Sequence, residues 1–301
     1  VKILIVGSNS FVGQKVALAQ IVNFPDNNLF LCSLGDNRLS SLPAPFYRVD
    51  ITDKPSLAKV FDEVQPNVVI NTAAIASPDL CEQNREQALR INVGGAANLA
   101  ELSTLYDAHL VHLSTDFVFN GCKPLLTEND VPDPVNYYGF TKLESEKVVS
   151  AYASSYAIVR TVSVYGYLAS LTRLNFILRV KQALENEKEY RVPNDQFRTP
   201  TLVEDLAKAI LIIGINHIDG LFHISGAEGL TNYEFGKRVA AVFGLNEGLL
   251  VPVTSTELEE KAIRPLNTGF SITKAQHVFG FKPMAISEGL LLVKKQMAKV
   301  F

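Results

Sequence analysis

Lys2-Ile3-Leu4-Ile5-Val6-Gly7-Ser8-Asn9-Ser10-Phe11-Val12-Gly13 is the stretch that decides the fold. An apolar, β-rich run ends at Gly7, a short turn bounded by two glycines follows, and an apolar helix continues from it. A glycine-rich turn between strand and helix brings backbone N–H groups and the helix N-terminus onto a pyrophosphate. Gly7, Ser10, Phe11, Val12 and Gly13 are therefore candidate dinucleotide-binding positions. The alternative is a plain strand-to-helix turn.

Beyond this stretch, β-rich runs recur at Leu29–Leu34, Phe46–Ile51, Val68–Ala73, Leu110–Ser114 and Ala157–Arg160. Most lack strict alternation of apolar and polar residues, as strands covered on both faces do. Helical periodicity fills Ser56–Val64, Arg85–Tyr106 and Thr141–Tyr152 between them. This order predicts an α/β fold, a doubly wound, Rossmann-like parallel sheet with helices on both faces. Residues 1–162 read as the dinucleotide-binding domain. Residues 201–225 return to it through a helix over Thr201–Ile213 and a strand over Leu221–Ile224. Residues 163–200 and 226–301 read as a smaller, interleaved, mainly helical substrate-binding portion. It includes a helix over Thr231–Phe243, capped by Gly244, and one over Ser287–Lys299.

The second strand ends at Ser33, with Asp36 and Arg38 beyond it. A carboxylate at that point accepts hydrogen bonds from a ribose 2′-hydroxyl, whereas a neutral residue with a nearby arginine accommodates a 2′-phosphate. Ser33 with Arg38 leans toward NADPH, and Asp36 leaves NADH open. Asp50 and Ile51 close the third strand, where the carboxylate can reach an adenine amino group or cap a helix together with Thr52. After the fourth strand, Ala73 and Ala74 are small enough for the backbone to pass close to a cofactor. Asn92 is a polar residue in an apolar helix. It reads either as an anchor for water or backbone near the site or as an ordinary structural hydrogen bond.

Tyr138 and Lys142 share one helical face, about twenty residues after Ser114-Thr115-Asp116. An unperturbed phenol has a pKa of about 10; a neighbouring ammonium lowers it and fits the tyrosine for general acid–base work. Thr115 can hold a reacting carbonyl oxygen beside it. Thr115, Tyr138 and Lys142 together suit carbonyl–alcohol redox chemistry on a nicotinamide. Alone, the Tyr-x-x-x-Lys spacing also arises from a half-buried tyrosine beside a solvated lysine.

The 301 residues are enough for one large domain or two smaller ones. A net charge of −3 without a basic block argues against nucleic acid or an anionic membrane as the main partner. No apolar run approaches the roughly 20 residues of a membrane span. The sequence opens on a strand and not on a charged and apolar leader, so no signal peptide is expected. Cys32, Cys81 and Cys122 form neither a disulfide framework nor a metal-ligand pattern, and read as buried, inert thiols in a reducing cytoplasm. The five histidines have no metal-ligand spacing either, and no metal is expected.

Gly7–Gly13, Asn71-Thr72-Ala73-Ala74, the run from Leu113 to Gly121, the run from Asn136 to Glu144, Asp195–Thr201 and Arg264-Pro265-Leu266-Asn267 together resemble the extended short-chain dehydrogenase/reductase family. Within it they look most like the dTDP-4-dehydrorhamnose reductase group of nucleotide-sugar reductases. The resemblance covers nearly the whole chain. Its Ser-Thr-Asp-aromatic-Val-Phe-x-Gly and Asp-Gln…Pro-Thr segments are much more specific than the glycine turn.

The resemblance implies that Thr115 polarises the substrate carbonyl and that Tyr138 protonates the developing alkoxide. Lys142 would bind the nicotinamide ribose and lower the tyrosine pKa. Ser114, Asp116, Tyr165, Gln196 and Arg264 would contact the nucleotide sugar. Self-association as a homodimer is left open. Two departures bear on detail: Ser10 replaces the middle glycine of the family's Gly-x-x-Gly-x-x-Gly turn, crowding the pyrophosphate or adding a hydroxyl donor to it. Val162-Ser163-Val164-Tyr165 stands where the reductases carry Ser-Trp-Val-Tyr. A dehydratase would carry glutamate where this chain has Phe117. A 4-epimerase would use the same Thr, Tyr and Lys with a retained NAD. The rival from another class is a non-catalytic regulatory subunit like the β subunit of methionine adenosyltransferase, which resembles the same group.

Overall fold

Seven parallel strands carry the molecule. β1 (Lys2–Val6), β2 (Asn28–Ser33), β3 (Phe46–Arg48), β4 (Val68–Asn71), β5 (His109–Thr115) and β6 (Tyr156–Thr161) are joined at the edge by a last strand, Gly220–Ile224. The lateral order is Gly220–Ile224, β6, β5, β4, β1, β2, β3, and every pairing is parallel. The order reverses between β1 and β4, and at such a switch point a crevice opens beyond the carboxyl ends of the strands. The computed structural model describes residues 1–171 and 174–298. Residues 172–173 and 299–301, which include the Lys299 end expected for the last helix, lie outside the described residues.

β1 shows why the strands lack alternation. Ile3 and Ile5 face one core with Val16, Leu206 and Ile210. Leu4 and Val6 face the other with Leu57, Phe61 and Leu99. All four are 0% exposed, and each such side chain contributes about 1.5–3 kcal/mol by burial, so neither parity tolerates a polar residue. One layer holds α1 (Phe11–Asn23); the opposite layer holds α2 (Lys54–Val64), α3 (Pro78–Gln83), α4 (Arg85–Leu89), α5 (Gly95–Leu105) and α6 (Tyr137–Tyr152). A π-helical turn at Arg90–Gly94 joins α4 to α5.

The remaining helices are α7 (Phe176–Glu185), α8 (Val203–Ile215), α9 (Asn232–Phe243), α10 (Thr273–Phe279) and α11 (Ile286–Ala298). α8 packs on α1, and buried Lys15 reaches Glu204 at 2.5 Å between them. α7, α9 and α11 build a separate core around Ile177, Phe235, Leu290 and Val293. α9 opens with a capping box between Thr231 and Glu234 and stops at Gly244, whose φ is 69°. This portion is mainly helical but contains strand pairs not foreseen from sequence, Tyr190–Pro193 with Leu250–Val253 and Phe197–Arg198 with Leu230–Thr231. Val164–Tyr165 and Thr201–Leu202 make a third pair. Two to four residues give too little periodicity to read as strands.

Among the described residues no helix is long and apolar enough to cross a membrane. Cys32 and Cys81 are buried, and burial pushes their thiols up to about 12 and about 11. Cys122 differs from the expectation of a buried thiol. It is exposed, in the turn where its own N–H donates to Asn120 Oδ1.

Candidate active site

α6 starts where it does because Asn136 Oδ1 accepts from Gly139 N at 2.8 Å, an N-cap, and Glu82 accepts from Tyr137 N at 2.7 Å. Gly139 lets the first turn lie directly on the segment after β5. A Cβ there would stand 2.0 Å from the carbonyl oxygen of Phe117. This close seat brings Tyr138 to Thr115, and the Tyr138 ring packs edge-on to Phe117 at 5.8 Å. Burial raises the Tyr138 phenol above its ordinary value, and hydrogen bonding to Thr115 works against that shift. The expected lowering by Lys142 is not what this packing produces, because desolvation disfavours the phenolate more strongly. At neutral pH Tyr138 therefore holds its proton.

Thr115 Oγ1 donates to Asp116 Oδ1 at 3.0 Å and accepts from Phe117 N at 3.3 Å. Asp116 also accepts from Thr268 Oγ1 and lies 3.7 Å from Arg198 Nε. Burial raises its carboxyl and Arg198 opposes the rise. Arg198 was not singled out from sequence. It is 2% exposed and donates to the carbonyls of Phe197, Leu266 and Pro265 at 2.8, 2.7 and 2.6 Å. It thereby ties the Asp195–Thr201 segment to the Arg264–Asn267 segment beneath Asp116.

Lys142 lies one turn beyond Tyr138, buried, with Nζ 3.1 Å from His112 Nε2. Desolvation lowers it to about 8, against the pull of Glu146 and Cys81. Ser114, expected to meet substrate, lines the cavity while its hydroxyl donates to Glu146 Oε1 at 2.5 Å. Glu146 also receives Arg160 through Nε at 2.8 Å and Nη2 at 2.6 Å. Asn92 proves to be a backbone anchor. It accepts from Ile75 N at 2.8 Å and donates to Thr141 Oγ1 at 2.9 Å, tying the π-helical turn to α6.

One cavity of about 730 Å³ gathers Thr115, Tyr138 and Lys142 with Ser10, Phe11, Val12, Arg38, Ala73, Ala74, Ser114 and Asp116. The cofactor side fits a dinucleotide. Phe11 and Val12 supply the first two amides of α1, groups that no intrahelical carbonyl satisfies. Gly7, at φ +79°, packs so closely on β4's end that a Cβ would meet Ala73 N at 2.5 Å. A Cβ at Gly13 would meet Gly7 O at 2.4 Å, so both glycines serve the turn itself. Ser10 Oγ accepts from Gly13 N at 2.9 Å. Thr72 Oγ1 donates to the carbonyls of Val6 and Gly7, so the 3.0 Å contact between the two hydroxyls is donated by Ser10. The Ser10 hydroxyl is thus occupied by the turn, which corrects its reading as a donor to the pyrophosphate.

Other expected positions lie off the cavity lining. Ser33 ends β2 outside it. Asp50 accepts from Thr52 N and Oγ1 at 2.9 Å, while Asp53 caps α2. Ile51 is buried against Gly95. Tyr165 is 1% exposed and packs on Phe235 at 5.3 Å in the helical core. Gln196 is buried and accepts from Asn232 Nδ2 at 2.9 Å, so it supports a lining residue. Arg264 is held by Asp79 at 2.8 Å and Glu260 at 3.5 Å. The cavity wall that sequence reasoning missed comes from Leu174, Asn175, Phe176, Arg179 and Asn232. For Phe176 and Arg179 the available signal is amphipathic spacing along α7. Among the described residues no cluster of three or more His, Cys, Asp or Glu could hold a metal ion.

The crystal structure of a dTDP-4-dehydrorhamnose reductase from Clostridium acetobutylicum superposes with a TM-score of 0.87 at 30% identity, covering 99% of this chain and 100% of that one. The enzyme of the same name from Bacillus anthracis, in complex with NADP, gives 0.86 at 29% identity over 98% and 99%. Methionine adenosyltransferase 2 subunit beta from Rattus norvegicus is 30% identical over 280 residues, 91% of this chain and 81% of that protein. The sequence model for the RmlD substrate binding domain matches residues 1–298, and the chain belongs to that family.

Proposed function

We propose that the protein is an NAD(P)H-dependent reductase of a nucleotide-linked 4-keto-6-deoxy sugar, with dTDP-4-dehydro-L-rhamnose as the substrate to test first. The observation that carries this reading is the convergence of Thr115, Tyr138 and Lys142 on one cavity that continues from the glycine turn to α7 and α9. Residues 1–162 with 201–225 hold the cofactor, and 163–200 with 226–301 receive the sugar. A bound nicotinamide supplies hydride to the C4 carbonyl. Tyr138, kept protonated by burial, delivers the proton to the alkoxide oxygen. Thr115 holds that oxygen after exchanging its bond to Asp116, and Lys142 binds the nicotinamide ribose. Arg179, on the cavity wall, suits a diphosphate because its planar fork donates two hydrogen bonds at once. Arg38 lines the cavity while Asp36 is exposed and pairs with Arg48 at 3.2 Å. That arrangement favours NADPH over NADH.

The test is oxidation of NADPH and NADH, followed at the nicotinamide absorbance, with dTDP-4-dehydro-L-rhamnose, beside Tyr138→Phe. Turnover abolished in the variant is expected. The second reading is a non-catalytic subunit, favoured by the 30% identity to methionine adenosyltransferase 2 subunit beta. Cofactor binding without turnover on any 4-keto sugar nucleotide would select it.

A further inference from the structure

We infer that His112 is a positioning residue that keeps its ring proton on Nε2 and thereby turns the protons of Lys142 outward, into the cavity. A backbone N–H can only donate. Ala73 N donates to Asn71 Oδ1 at 3.0 Å. The Asn71 oxygen is thus fixed, and the Asn71 amide nitrogen faces His112 Nδ1 at 3.0 Å. That nitrogen also only donates, so Nδ1 must accept and the neutral ring must carry its proton on Nε2. Nε2 lies 3.0 Å from Ser145 Oγ, and Ser145 Oγ in turn donates to the carbonyl of Lys142 at 2.7 Å. A chain of one polarity runs from the loop after β4, through the ring, to the backbone of the working lysine.

All four side chains of this chain are closed off from water, at 2% for Asn71, 1% for His112, 0% for Ser145 and 3% for Lys142. Lys142 Nζ sits 3.1 Å from Nε2. An ammonium has three donors and no acceptor, and a protonated Nε2 offers it no lone pair. The ring is therefore a wall and not a sink. A bare Nε2 would draw one ammonium proton into the protein, whereas this tautomer leaves the protons to groups on the cavity side. Burial and the adjacent lysine both hold the imidazole uncharged, well below its ordinary value. The other titratable groups acting on Lys142 are Glu146 on α6 and Cys81 on α3, and Glu146 is itself engaged by Arg160. Tyr138, one turn back on α6, faces the same cavity.

The inference rests on the reading of Lys142 as a working group of the site, but its test needs neither cofactor nor substrate. Long-range 1H–15N spectra of the 15N-histidine-labelled protein report which ring nitrogen carries the proton, and His112→Gln identifies the signal. The native protein is expected to show the neutral Nε2–H form unchanged from about pH 6 to 9, across the range where an ordinary histidine titrates. Lys142→Met is expected to keep that form, because Asn71 sets it. In Asn71→Asp the new carboxylate accepts from Nδ1, and the proton moves there. An Nδ1–H form in the native protein, a switch in Lys142→Met, or an unchanged tautomer in Asn71→Asp would each overturn the inference. A protein that passes these tests yet reduces no sugar nucleotide would sink the reductase reading alone.

Discussion

Gly139→Ala tests the seat on which the site is built. The new Cβ would lie 2.0 Å from Phe117 O, where non-bonded contacts under 3.0 Å are essentially never seen, so the first turn of α6 must retreat by about 1 Å or more. Overpacking of this kind costs about 1–3 kcal/mol, which in chains somewhat shorter than this lowers the melting temperature by about 2–4 °C per kcal/mol. The same retreat carries Tyr138 away from Thr115, and a misplacement of about 1 Å costs on the order of a hundredfold in rate. Gly94→Ala is the matched control. Gly94 is also helical, with φ −61°, and a Cβ there meets nothing within 4 Å. Removing that glycine is expected to add up to about 1 kcal/mol of stability. Thermal melts and nicotinamide oxidation read both variants. A Gly139→Ala protein that melts and turns over like the parent would refute the seat. Equal losses in the two variants would point to general intolerance of these helices.

Lys142, lowered to about 8, is charged below that value and neutral above it. NADPH affinity, titrated by fluorescence, is expected to weaken as pH rises through about 8, and Lys142→Met to be weak and flat across the same range. Arg179→Ala should raise KM about tenfold with kcat retained, the loss of one charge-assisted contact; Arg264→Ala, whose partner is Asp79, should leave KM within about twofold. A fall in kcat for Arg179→Ala, or a tenfold KM effect for Arg264→Ala, would reverse the assignment. Glu146→Gln removes the charge that Arg160 faces at 3% side-chain exposure. Leaving that guanidinium unpaired should cost about 3–5 kcal/mol in urea denaturation, and a loss below about 1 kcal/mol would contradict it.

The sheet was legible because burial on both faces leaves its mark on every residue of a strand, as Ile3 to Val6 show. The four-residue spacing of Tyr138 and Lys142 was legible because helix geometry alone sets it. What side chains bond to was not. Ser114 meets Glu146 across 32 positions, and Arg264 meets Asp79 across 185. No local pattern encodes such partners, so neither Glu146 as the acceptor for Ser114, which still lines the cavity, nor Asp79 as the partner of Arg264 is legible in the sequence. The direction of the Tyr138 shift was missed for a related reason. Spacing reports the nearby ammonium, whereas desolvation depends on everything that packs around the ring. Tyr165 went the same way, taken into the helical core by Phe235.

The placement of Gly220–Ile224 at the edge beyond β6 has a consequence for synthesis. As the nascent chain leaves the ribosome, β6 emerges long before its outer neighbour. The α7 segment and all of α8 must follow before that neighbour exists. At about 5–20 residues per second the edge stands open for several seconds. Ala157, Ile158 and Val159, each no more than 5% exposed in the finished protein, then sit on a strand paired with β5 on one side and open on the other, an exposed edge of the kind that invites association between chains. A fragment of residues 1–162 would carry that open edge permanently and is expected to aggregate on expression. The sheet is therefore not expected to yield a soluble unit when the chain is cut where its first six strands end.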